Sequence, residues 1–195
     1  MNLPNRLTVA RLILAPVIFV WFYMTDLFSG LSHVVYATVL AVLYVVMELT
    51  DLFDGIIARK YNLVTDLGKV LDPFADVIQH MTFFTLFLTK GIMPVWAFTV
   101  IFWREFFQCF MRMLLMGKGK PMAANIFGKA KTCLYAFSSV LGFAVRIAYV
   151  TGFHKDWMQI VLTAVFGLAA CVSVISFAIY VRNVVKEGTL SSMTR

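Results

Sequence analysis

Leu31 to Ala58 reads LSHVVYATVLAVLYVVMELTDLFDGIIA. The stretch is uncharged through Met47 and then delivers Glu48, Asp51 and Asp54. A helix needs about 20 apolar residues to cross the hydrocarbon of a bilayer, so this segment is long enough to span and carries its carboxylates at one end. The rest of the chain has the same character. Of its 195 residues 61% are hydrophobic and 14% charged, whereas a soluble domain is roughly a quarter charged. The expected fold class is therefore all-α, a polytopic membrane bundle that uses residues 1–195 as one domain. Six apolar segments are predicted: Leu7 to Met24, Leu31 to Ala58, Val70 to Leu88, Met93 to Met116, Ile126 to Val150 and Trp157 to Val185. Short loops join them, punctuated by Gly30, Gly91 with Pro94, Gly117 to Pro121, and Gly152. Pro16 interrupts the first segment and no small-x-small cleavage site follows it, so it reads as a span and not as a signal peptide. Cys109, Cys133 and Cys171 lie singly in apolar surroundings, which excludes a disulfide framework or a zinc site built on them.

The net charge of +7 is unevenly placed. Arg6, Arg11, Arg59, Lys60, Lys129, Lys131, Arg182 and Lys186 fall at one side of a six-helix path, and only Lys90 and Lys155 fall in the opposite loops. Basic loops stay cytoplasmic, so both termini are expected there. The excess charge would face anionic lipid headgroups or an anionic substrate, with no nucleic-acid partner expected.

Six of the ten acidic residues, Glu48, Asp51, Asp54, Asp66, Asp72 and Asp76, crowd into one window. Asp51 and Asp54 are spaced i, i+3 and Asp72 and Asp76 i, i+4, so each pair shares a helix face. Pro73 suits a helix's first turn, which would start the third helix there and bring both pairs to one membrane depth. Converging carboxylates repel unless a cation compensates. An all-oxygen ligand set selects a hard ion, Mg²⁺ or Mn²⁺, and four carboxylates suit a pair of them. The competing explanation, helix caps or partners for Arg59, Lys60 and Lys69, fits Asp66. Gly55, Ala58 and Gly68 strip bulk from the wall beside the carboxylates, as an approaching nucleotide would need.

The pattern Asp51-x-x-Asp54-Gly55-x-x-Ala58-Arg59, eight residues, then Gly68-x-x-x-Asp72-x-x-x-Asp76 resembles the signature of the CDP-alcohol phosphatidyltransferase family. That resemblance implies six-helix homodimers of the bacterial cytoplasmic membrane, with the active site on the cytoplasmic face. It implies two divalent metals on Asp51, Asp54, Asp72 and Asp76, with Asp76 also the general base. It implies that CDP-diacylglycerol lies against the signature glycines, Arg59 and Thr65, and it includes an Asn-x-x-Thr element, here Asn5 and Thr8. The amino terminus, Arg104-Glu105 and Gly128-Lys129-x-Lys131-Thr132 are similar to phosphatidylglycerophosphate synthases within the family. Val77 and Tyr135 depart from that subgroup's usual residues.

Intramembrane arginines are functional candidates by default. Arg104, Arg112 and Arg146, with Lys129 and Lys131, are expected to form a cationic pocket suited to a phosphorylated acceptor such as glycerol 3-phosphate. Inositol phosphate, serine and choline are the alternatives. The alternative for Arg104 is a local pair with Glu105; His80, one turn from Asp76, is expected to be a buried, hydrogen-bonded histidine, with contact to an acceptor as the alternative. A transporter would share the intramembrane charges, but no repeat with broken helices is visible.

Overall fold

The computed structural model describes residues 3–27, 32–61, 65–116 and 126–186, with some side chains inside the helices, those of Asp54, Ala58 and Arg59 among them, outside the description. Among the described residues every regular element is a helix: α1 Leu3–Leu27, α2 His33–Lys60, α3 Asp66–Thr89, α4 Val95–Met116, α5 Ile126–Val150 and α6 Asp156–Lys186. The six predicted segments are recovered. Gly30 and Gly117 to Pro121 lie outside the described residues.

Burial follows the rule of a chain dissolved in lipid. Val42, Trp103, Phe106, Phe110 and Ile160 face outward, while Thr8, Arg11, Gln79, His80, Arg104, Glu105 and four serines are buried. Apolar surface costs nothing against acyl chains, and polar groups must find partners inside. On length and composition four helices are able to cross a membrane, within Asn5–Phe22, His33–Phe53, Ile126–Val150 and Asp156–Lys186, as expected of an integral membrane protein. The other two, α3 and α4, are 24 and 22 residues long, about 33 Å or more at 1.5 Å per residue. They carry several charges of the site, Asp72 and Asp76 on α3 and Arg104, Glu105 and Arg112 on α4.

One expectation about proline is corrected. The third helix begins at Asp66, not at Pro73: Thr65 is its N-cap, in extended conformation, and accepts from the Gly68 amide. That cap satisfies one otherwise orphaned donor, so the helix starts there by local chemistry. Pro73 lies inside α3 and Pro16 inside α1. Each removes one backbone bond, a loss that packed neighbours make tolerable in membrane helices. At the far ends, Gly91 and Gly152 adopt φ of 68° and 80°, a left-handed turn that glycine enters without a Cβ clash.

The core is an aromatic junction of α2, α3, α5 and α6. Tyr44 meets Phe83 edge-on with centroids 4.8 Å apart, Phe87 meets Phe143 at 4.9 Å, and Phe84 meets Phe166 at 5.6 Å. Edge-to-face pairs of this kind add about 0.5–1.5 kcal/mol beyond the area they bury. Helix α1 packs on α3 and α2, and α4 packs on α3 and α6. This arrangement leaves the ends of α1, α2 and α3 side by side.

Candidate active site

Three residues on one face of α1, each a turn apart, reach the N-cap of α3 and two carboxylates within it. Asn5 Nδ2 donates to Thr65 Oγ1 at 3.0 Å, Thr8 Oγ1 to Asp72 Oδ1 at 2.8 Å, and Arg11 Nη1 to Asp76 Oδ1 at 3.2 Å. Both sequences ascend together, so α1 and α3 run parallel. The same Arg11 nitrogen pairs with Asp51 Oδ1 of α2 at 2.5 Å. Gly68 is bare because the helices touch there: a Cβ would lie 3.0 Å from Asn5 Oδ1 and 3.2 Å from Thr65 Oγ1. Arg11 is 2% exposed, whereas Asp51 and Asp76 are 38% and 41% exposed. The carboxylates are open on one side and bound to a buried cation on the other.

One guanidinium thus gathers carboxylates from α2 and α3, and Asp72 stands one turn from Asp76. Among the described residues no three such groups stand close enough to hold an ion. Asp54 lies in α2 with its side chain outside the description, as do those of Ala58 and Arg59; Gly55 is half-buried in the same turn. The donors are carboxylate oxygens that converge on positive charge, and that chemistry fits a hard divalent cation.

Asp76 also borders a cavity of about 210 Å³. Its lining also includes Arg104 and Arg112 of α4 and Lys129 and Lys131 of α5. Arg104 is buried and anchored: Nε donates to Ser173 O at 3.0 Å, Nη2 to Ser176 Oγ at 3.3 Å, and Nη1 to Glu105 Oε1 at 2.7 Å. The local Arg104–Glu105 pair is therefore present within the cationic cavity. Lys131 Nζ donates to the same Glu105 oxygen at 2.8 Å and lies 4.7 Å from the centre of the Tyr135 ring.

Arg146 does not join them. It is absent from the cavity lining and lies 6.0 Å from the Tyr149 ring. Placed near the other end of α5, it is about 22 Å from Lys131 along the axis at 1.5 Å per residue. Counting charges inside apolar segments does not separate the two ends of a helix.

His80 lies on the cavity wall and is buried. Its Nδ1 is 2.8 Å from the Asp76 carbonyl oxygen. A carbonyl only accepts, so Nδ1 carries the proton. Its Nε2 faces Glu48 Oε1 at 3.6 Å, and that oxygen also accepts from Gln79 Nε2 at 3.0 Å. Sequence reasoning gave no site role to Arg11 or Glu105. Arg11 carried a usable signal, since it follows Asn5 and Thr8 on the same helical face.

This fold and site define a membrane protein with a signature carboxylate centre, and the chain belongs to the CDP-alcohol phosphatidyltransferase family, whose sequence profile matches residues 1–176. Among its relatives is the CDP-diacylglycerol–glycerol-3-phosphate 3-phosphatidyltransferase of Bacillus subtilis (strain 168), 34% identical over 176 residues, 85% of this chain and 91% of that protein. The protein of the same name from Rickettsia bellii is 32% identical over 175 residues, 90% of this chain and 91% of its own. A Streptomyces coelicolor cardiolipin synthase (CMP-forming) is 31% identical over 160 residues, 78% of this chain and 73% of its own.

Proposed function

We propose that this chain transfers the phosphatidyl group of CDP-diacylglycerol to glycerol 3-phosphate and releases CMP, a step in phospholipid biosynthesis. The observation that carries the reading is one cavity bordered both by Asp76 and by Arg104, Arg112, Lys129 and Lys131. The names of the Bacillus and Rickettsia relatives support the same donor and acceptor.

In this reading the acceptor's phosphate sits against the cationic wall, which turns its hydroxyl toward Asp76. The hydroxyl oxygen attacks the phosphorus that bears diacylglycerol. A new phosphorus–oxygen bond forms, the bond to CMP breaks, and the hydroxyl proton passes to Asp76. Asn5, Thr8, Gly55, Ala58, Arg59, Thr65 and Gly68 bind the cytidine diphosphate end. Asp51, Asp54, Asp72 and Asp76 would hold two divalent ions, Mg²⁺ or Mn²⁺, which supply charge neutralisation at the diphosphate. Arg11 keeps Asp51 and Asp76 oriented from the buried side. The chain would act as a homodimer in a bacterial cytoplasmic membrane, with six spans, cytoplasmic termini and the site facing the cytoplasm.

The test is CMP release by purified protein in detergent, with and without Mg²⁺ or Mn²⁺, across a panel of acceptors. Glycerol 3-phosphate is expected to lead over inositol phosphate, glycerol, phosphatidylglycerol, serine and choline. Efficient use of serine or choline would overturn the acceptor assignment, and no CMP release with any acceptor would overturn the enzyme reading.

A further inference from the structure

Glu105 neither transfers a proton nor meets the donor in that reaction, yet three side chains of the cavity wall donate to it. It is 3% exposed. Its Oε1 accepts from Arg104 Nη1 at 2.7 Å, Lys131 Nζ at 2.8 Å and Tyr135 Oη at 2.9 Å. A carboxylate oxygen has about two lone-pair sites, so three donors on one atom mean that α4 and α5 converge on a single point. The two cations are held less than two hydrogen-bond lengths apart. Like charges at that spacing separate unless a counter-charge lies between them. Glu105 is that counter-charge.

Among the described residues both cations retain donors. Arg104 has five N–H groups, three committed to Ser173, Ser176 and Glu105, and Lys131 has three, one committed to Glu105. An acceptor phosphate needs several donors already in place, because ordering them at the moment of binding costs affinity. We infer that Glu105 is the positioning residue of the acceptor site: it locks Arg104 and Lys131 side by side so that their remaining N–H groups meet one phosphate. This rests on the phosphorylated-acceptor reading of the cavity. A carboxylate present only to offset excess charge would have the opposite effect on anion binding, since its removal would tighten the site.

The experiment compares Glu105→Gln with wild type in steady-state kinetics on both substrates, with inorganic phosphate as a competitive probe of the cavity. The acceptor KM and the phosphate inhibition constant are expected to rise about tenfold, as for the loss of a charge-assisted contact. Turnover at saturating acceptor and the CDP-diacylglycerol KM should stay within about twofold. Glu105 acts through Lys131, so its effect should shrink in a Lys131→Met background, and additive effects would overturn the inference. An unchanged or lowered acceptor KM in Glu105→Gln, beside raised values in Arg104→Ala and Lys131→Met, would also overturn it and leave the phosphate pocket intact. If Arg104→Ala and Lys131→Met themselves leave acceptor kinetics unchanged, the pocket falls and the role of Glu105 with it. Should Glu105→Gln fail to fold, Tyr135→Phe removes one donor to Glu105 and keeps the ring beneath Lys131. Its acceptor KM should rise about two- to threefold, and no rise would overturn the assignment.

Discussion

Among the described residues Asp76 joins both halves of the proposed chemistry: its carboxylate pairs with Arg11 and its position borders the cationic cavity. If it takes the acceptor's proton, Asp76→Asn should lower turnover by about a hundredfold or more and disturb CDP-diacylglycerol binding much less. Equal losses of donor affinity and turnover would make it chiefly a metal ligand. Asp51→Asn, Asp54→Asn and Asp72→Asn should each abolish transfer in a bundle that still folds; near-normal activity with undiminished metal affinity would sink the two-metal reading. A saturating divalent ion, at about a hundred times its Kd, should stabilise wild type by about 2.7 kcal/mol. Thermal melts of Asp72→Asn should show clearly less. The aspartates were legible in the sequence because their spacings are local, three and four residues along a helix. The face of Asn5 and Thr8 pointed to Arg11 as well, but that its guanidinium draws Asp51 and Asp76 together shows only in the fold, where Asp76 lies 65 residues away. Glu105 was hidden for the same reason, its bonds to Lys131 and Tyr135 crossing from α4 to α5.

At the scale of helices, the decisive contact is the parallel seam of α1 and α3. The apolar segments could be read from composition, but Thr65 as a cap sets the start of α3 well before Pro73, where proline rules drawn from isolated helices place it. The seam also changes the meaning of Gly68. Its missing side chain makes room first for Asn5 and Thr65, and whatever lies against that wall depends on this closeness. Gly68→Val should therefore push α1 from α3 and break the Asn5–Thr65 hydrogen bond, a loss of about 1 kcal/mol. Kinetically it should raise the CDP-diacylglycerol KM several-fold and leave the acceptor KM near normal. A variant that altered acceptor binding instead would place the nucleotide elsewhere.

Across the whole molecule, polarity is graded from one end of the bundle to the other. The carboxylate centre, Lys129 and Lys131 share one end, while Gly91 and Gly152 turn the chain at the other. From Lys131 to Val150, α5 covers about 28 Å at 1.5 Å per residue, close to the thickness of bilayer hydrocarbon. In the topology proposed above, the positive-inside rule would put the cationic end on the cytoplasmic side. A protein with Cys109, Cys133 and Cys171 replaced by serine would carry one new cysteine at a time, at exposed positions. An impermeant thiol reagent added to intact cells should label Thr89→Cys and Phe153→Cys. Tyr61→Cys and Lys186→Cys should react only after the membrane is opened. The reverse pattern would turn the site away from the cytoplasm, and labelling of all four from outside would contradict the six-span path. Because labelling depends on position alone, the outcome bears on topology even in a variant that has lost activity.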